Sequence, residues 1–447
     1  MYWLQEQKSR YGKLEQDISC EAAVIGGGLT GVTTAYYLSK AGIKTALFEA
    51  GVLGCGVSGK TTAHITVQHD LTYDRYIRRF GKDTARIVAR EGAEAIRRIR
   101  SLVEENGIDC DYSPQKSYLF TNQKSGIKKL ETELIAAKTL GIGAELTASA
   151  DFPLKYISAL AYRNQAQFHP VKYLNGLAAA AVREGTQTYE NTRVLRIERG
   201  RLKTDSGADV SAEHIVVATH NPLVNSPGMF FLKEYQHRSY VGVYSGVNID
   251  GMWTNIDSGG HTFRSHNGNV IISGEDHRTG TQTRKRHYQS LNNFAAKVFP
   301  NSRLISNYSA QDGITLDNLP YIGRYSKKTK NLYVATGFGK WGMTYSNTAA
   351  RLIADLILGV ENETEKVFSP CRPAVPYTIW SAARLVTAML GGYIGGLFRP
   401  QNPTCTHLKG KCKYNSEEHS WDCPCHGSRF TAEGEVIDSP ATHGLLR

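Results

Sequence analysis

The chain has 447 residues, well past the roughly 250–300 at which one hydrophobic core stops growing, so two or three domains are expected and a peptide-sized module is excluded. Forty-one per cent apolar residues and 43 glycines describe a folded chain with many tight turns, not a disordered or low-complexity one. The 53 Lys and Arg against 41 Asp and Glu give a net charge of +12, but the basic residues are scattered and none of their runs is interleaved with aromatics, so nucleic acid is not an expected partner.

Residues 1–17 are polar and charged with no apolar segment, so no secretory signal is expected and a reducing, cytoplasmic setting is. The first strong pattern follows. An apolar strand over 20–25 leads into Gly26-x-Gly28-x-x-Gly31, a helix to Gly42, and a second strand over 43–49 that ends in Glu49. This is a βαβ opening with a dinucleotide fingerprint in register. Gly26 permits the tight turn, Gly28 lets backbone approach a pyrophosphate, and Gly31 lets the helix pack on the sheet. Amides at the helix start would face the phosphates, and Glu49 would accept from ribose hydroxyls.

Insertions at roughly 70–160 and 222–310 predict a second, substrate-binding lobe, the later one with strand-like runs at 240–244 and 269–273. Strands over 191–198 and 214–219 return to the first sheet. Far downstream, an apolar strand over 331–336 runs into Gly337-Phe-Gly339-Lys-Trp-Gly342 and a helix over 347–358. By its letters this second GxGxxG could be assigned to NAD. No third strand carrying an acid follows, so strand and helix read as the last pieces of the first sheet.

Cys405-Thr-His407 and Cys423-Pro-Cys-His426 offer two short loops, each with one thiolate and one imidazole. The metal candidates are Cys405, His407, Cys423 and His426, for a Rieske [2Fe–2S] centre or a structural zinc. Such clustering in a cytosolic chain points to metal before disulfide. The weakly charged stretch 382–398 holds Arg384 and several glycines, too short and interrupted for a transmembrane helix; peripheral membrane association stays open.

Together, Gly26 to Gly31 with Glu49, the turn Ser58-Gly-Lys-Thr-Thr-Ala-His64, the segment 311–323 and the closing run 335–344 resemble the FAD-dependent oxidoreductases of the D-amino-acid-oxidase and glycine-oxidase type. The resemblance implies FAD and removal of a hydride from carbon next to an amine or hydroxyl. It implies an α/β FAD-binding Rossmann-like domain (about 18–69, 161–221 and 311–365) interleaved with an α+β substrate lobe. It also implies that Thr61 and Thr62 lie along phosphate and flavin and the Val194 backbone beside adenine. Gly337, Gly339, Trp341, Gly342, Met343 and Thr344 would meet the flavin's O2/N1 edge, where a helix N-terminus favours negative charge.

The flanks of the second loop, with Gly434 and Ser439-Pro-Ala441, resemble Rieske proteins, which implies a small all-β domain over 397–447 joined by a linker over 366–396. Imidazole ligands raise such a cluster from about −400 mV to roughly −150 to +300 mV, making it a good electron acceptor. Relatives bridge the middle cysteine of Cys-Pro-Cys-His to one five places after the first ligand; here Gly410 holds that place and Cys412 follows, which leaves a Cys412–Cys425 disulfide open.

The expected function is an FAD-dependent dehydrogenase of an amine or amino acid that passes electrons singly to the cluster and an external acceptor. Lys340 and His64 are the catalytic candidates: Lys340 at the flavin edge or as a solvated loop lysine, His64 orienting substrate, attached to FAD, or structural. His169 and Arg238 are candidates for substrate binding. The rival readings are a reductase component feeding a Rieske-type oxygenase from NAD(P)H, and a non-catalytic flavoprotein with a structural metal tail.

Overall fold

A computed structural model describes residues 1–5, 7–198, 200–281 and 283–445 of the chain. Its first sheet is ordered Tyr321–Ser326, Thr329–Thr336, Asp209–Val217, Ile18–Ile25, Thr45–Phe48 and Gln187–Tyr189, and the central strands end in buried apolar runs such as Ala22–Ile25 and Ile215–Val217. All neighbours but the first pair run parallel. A parallel sheet needs helices over its faces. Leu29–Lys40 supplies one and packs against both Pro170–Arg183 and Gly342–Leu358.

The glycine turn is sterically enforced. Gly26 sits at φ +111°, and a Cβ there would lie 2.5 Å from Ala218 O. At Gly31 a Cβ would meet Gly26 O at 1.9 Å, so only glycine lets the helix lie this close to the strand end. After Gly342–Leu358 no strand follows among the described residues until Lys413–Asn415, as expected if the second glycine motif does not open its own nucleotide unit.

A nine-stranded sheet forms the second layer, ordered Arg303–Thr315, Glu234–Ser245, Asn269–Arg278, Thr262–His266, Met252–Asn255, Ser113–Thr121, Ser158–Gln167 and His64–Ile65, with Ala144–Thr147 on the side of Ser158–Gln167. The lobe boundaries expected at 160 and 310 fall inside two of these strands. Ladder hydrogen bonds to Ser113–Thr121 and Glu234–Ser245 carry each strand straight through.

Beyond Thr364–Phe368, much of the expected linker is the helix Pro376–Leu397, which starts with proline in its first turn and buries Leu385 and Met389 on one stripe. No helix of the described residues is long and apolar enough to cross a membrane. The tail ends in an antiparallel meander of four three-residue strands, Lys413–Asn415, Ser420–Asp422, Arg429–Thr431 and Val436–Asp438. Phe430, Ala441 and the tail cysteines form a small buried cluster of their own, with Tyr393 of the tail helix packed against it.

Candidate active site

The glycine turn opens into a cleft between the first sheet and the loop after Thr329–Thr336. Of the residues expected at the dinucleotide, Gly26, Gly28, Glu49, Thr61, Val194, Gly337, Gly342 and Met343 line it. Glu49 takes the Gly27 N–H on Oε2 at 2.7 Å and the Gly51 N–H on Oε1 at 2.8 Å, which fixes its carboxylate at the cleft wall. Burial pushes this carboxyl up, and the two amides oppose the rise. Gly28 caps the helix without a side chain, and the Leu29 N–H donates to Ser58 Oγ at 3.1 Å. The turn, a helix start with no side chain at its Gly28 cap, and the acid thus fit a dinucleotide. Gly31 serves packing and does not line the cleft.

A second cavity adjoins the cleft through Thr61, Asp312, Lys340 and Met343, which line both. Thr62, His64 and Trp341 fall here, against hydroxyl-bearing positions Ser239, Thr254, Thr262 and Ser273 of the nine-stranded sheet. Lys340 sits at φ +77° and pairs with Asp276 at 2.5 Å. Burial would lower its ammonium, but Asp276, Asp312 and Asp70 prevail and raise it. Burial pushes both Asp70 and Asp312 up, with Lys340 opposing. His64 is buried, its Nε2 has no partner, and burial followed by Arg264 lowers it to about 3, so it is neutral.

Two expected edge residues lie elsewhere. Gly339 donates its N–H to Gly313 O at 3.0 Å and lines neither space, and Thr344 turns its hydroxyl into the protein, 3.1 Å from His69 Nε2. The substrate-binding expectations for His169 and Arg238 are corrected. His169 caps Pro170–Arg183 by accepting the Lys172 N–H. Arg238, 2 % exposed, is tied to Glu418 at 2.7 Å and Asp438 at 3.5 Å in the tail. Sequence reading missed Asp70, Asp276 and Asp312; only Asp312 lies in a motif that drew attention.

In the tail, the Cys405 N–H donates to Gly410 O at 2.8 Å and the Cys423 N–H to Ser428 O at 2.8 Å, closing two facing loops. Cys423 is held below the usual thiol range by hydrogen bonds from Cys405 and then Cys412. The His407 and His426 rings lie 5.0 Å apart at 88°, with Phe231 edge-on to both. His407 Nδ1 and His426 Nε2 are buried without partners, which fits imidazoles that would ligate. The two loops thus offer a thiolate pair, Cys405 and Cys423, and an imidazole pair, His407 and His426, the donor set of a Rieske [2Fe–2S] centre.

Cys412 and Cys425 are free, as are the other cysteines, so the disulfide left open by the sequence is not formed here. Cys412 bonds with Cys405 and Cys423, whereas the Cys425 sulfur lies 3.9 Å from Met389 O of the tail helix.

The two centres share a seam. Val436, Ile437, Ser439, Ala441 and Thr442 of the tail line the dinucleotide cleft itself. Asn221 Nδ2 donates to Ser439 O at 3.0 Å, Gln311 Nε2 to Gly427 O at 2.9 Å, and Arg278 Nη2 to Cys425 O at 3.1 Å. Beneath them Arg238 and Arg429 alternate with Glu418, Asp422 and Asp438, nearly free of water.

Known proteins match this arrangement. The family model "FAD dependent oxidoreductase" matches residues 21–356 and "Rieske [2Fe-2S] domain" matches 386–446. A Bacillus subtilis protein described as a Rieske 2Fe-2S iron-sulfur protein, YhfW, is 35% identical over 97% of this chain and 94% of its own. The Escherichia coli gamma-glutamylputrescine oxidoreductase is 26% identical over 46% of this chain and 50% of its own. Among solved structures, glycine oxidase from Geobacillus kaustophilus superposes with a TM-score of 0.69 at 20% identity, over 80% of this chain and 99% of that one.

Proposed function

Because the chain belongs to the FAD-dependent oxidoreductase family and carries a C-terminal Rieske [2Fe-2S] domain, we propose that it is a dehydrogenase of an amine or amino acid that sends electrons through the tail to an external one-electron acceptor. FAD supplies a hydride acceptor at N5, and the cluster a one-electron carrier of raised potential.

The protein's own part is binding, orientation and charge. Gly26, Gly28 and Glu49 would hold pyrophosphate and ribose, and Gly337, Gly342 and Met343 the flavin edge. Cys405 with Cys423 would hold one iron and His407 with His426 the other. In the adjoining cavity Lys340 Nζ offers a cation for a substrate carboxylate, while Asp70 and Asp312 offer carboxyl oxygens to an ammonium and a place for its proton. Such a wall suits a zwitterion or a diamine derivative, in keeping with the substrates in the names of gamma-glutamylputrescine oxidoreductase and glycine oxidase.

The relay rests on one observation: residues 436–442 of the tail wall the cleft that the glycine turn opens. Anaerobic addition of a panel of amines and amino acids tests it. Flavin bleaching followed by a reduced-cluster EPR signal supports the reading. Bleaching with a cluster that stays oxidised removes the relay, and a zinc-loaded tail without turnover favours the non-catalytic alternative.

A further inference from the structure

We infer that the helix Pro376–Leu397 lays its outer face on an anionic lipid bilayer, making the protein a peripheral membrane protein. Its inner face is settled by contact. Leu385 and Met389 are buried beside Leu316, and a Cβ on Gly392 would lie 3.0 Å from Cys425 Sγ. The opposite face has no protein over it. Ile379, Trp380, Val386, Leu390, Ile394 and Leu397 are 44–77% exposed, and Phe398 just past the helix is 81% exposed. These positions recur at three, four and seven, one continuous apolar stripe along about 30 Å of helix. Isolated apolar residues on a surface need no explanation; a stripe of this length does.

Charge selects the occupant. From Lys366 to the residue before Glu417 the chain holds seven Lys or Arg and no Asp or Glu. Of these, Arg384 lies on the helix and Arg399 and Lys409 just beyond it, all exposed. A second copy of the chain would bring the same positive field against itself. Anionic headgroups neutralise it while the acyl boundary takes up the apolar stripe, with tryptophan and phenylalanine at interfacial depth. The helix crosses nothing, since none of the described helices can span a bilayer. It lies in the interface with the cysteine loops on its inner side.

The test uses the full-length holoprotein with phosphatidylcholine vesicles, with and without phosphatidylglycerol. Co-sedimentation with the anionic vesicles at low salt, weakened by high salt, is the expected result. The triple variant Ile379→Gln, Leu390→Gln, Ile394→Gln changes only exposed positions and should lower partitioning about ten-fold or more at unaltered thermal stability. Arg384→Gln with Arg399→Gln should remove the preference for anionic lipid. Absence of binding to both vesicle types overturns the inference, as does equal binding by the triple variant. So does a vesicle-independent dimer that the triple variant dissociates, because a second copy would then cover the stripe.

Discussion

Gln236 and Gly427 stand in contact across the seam: a Cβ added to Gly427 would lie 2.4 Å from Gln236 Cβ. Gln236 Nε2 in turn lies 3.6 Å from where a Cβ of Gly313, at the cleft wall, would be. One side chain thus bridges the loop of His426 and the edge of the dinucleotide cleft.

Gly427→Ala tests this contact. Gly427 has φ +84° and no room for a methyl group, so the variant should lose about 1–3 kcal/mol and push the second cysteine loop off Gln236. Flavin reduction by substrate should persist while cluster reduction slows, read by freeze-quench EPR beside the flavin absorbance. Unchanged kinetics of both would show that the loop's seating is irrelevant to transfer.

The buried ion network should make the tail acid-labile. Burial alone would raise Glu418, but Arg238 and Arg429 outweigh it and hold the carboxyl down to about 2, against an ordinary 4.5. A carboxylate depressed in the folded state contributes fully above about 4.5 and loses that contribution as pH falls toward about 2. Protease sensitivity of residues 397–447 should therefore rise across that window. Arg238→Met, which leaves Arg429 as the one arginine facing Glu418, Asp422 and Asp438, should cost about 3–5 kcal/mol at neutral pH, measured by denaturant unfolding.

Glu234 should work in the opposite direction. It lies buried behind Gly337, with Oε2 3.0 Å from Thr336 Oγ1, and burial raises its carboxyl to about 8. The unfolded chain releases this proton first, so stability should fall as pH rises from about 4.5 to about 8, by at most about 1.4 kcal/mol per unit. Glu234→Gln should flatten that slope in a series of thermal melts. A slope identical to that of the parent would contradict the assignment.

Lys340→Met should remove the cation from the adjoining cavity and lower kcat/KM for an amino acid about 100-fold, with FAD content unchanged. The loss should be smaller for a substrate amine lacking a carboxylate. Equal losses for both would place Lys340 outside substrate recognition.

Cys405→Ser should abolish bound iron, by metal analysis and EPR, and leave the flavin spectrum and its bleaching by substrate in place, since the flavin cleft draws its tail wall from 436–442 and not from the first cysteine loop.

The cofactor machinery was legible in the chain because it depends on local sequence. Gly26, Gly28 and Gly31 are dictated by backbone conformation and close approach, Glu49 by strand length, and the paired Cys-x-His and Cys-Pro-Cys-His loops by donor chemistry. Strand signals also sufficed for the central parallel strands, whose buried ends are apolar runs, but not for the edge strands Gln187–Tyr189 and Tyr321–Ser326, which are polar or interrupted. What no local pattern carried is the meeting of distant segments. Arg238 belongs to an ion network with residues 180 and 200 positions away, Asp70 and Asp276 join Lys340 from different strands and loops, and Phe231 reaches both imidazoles. Burial and charge pairing decide these, and both exist only once the two sheets and the tail have closed on one another.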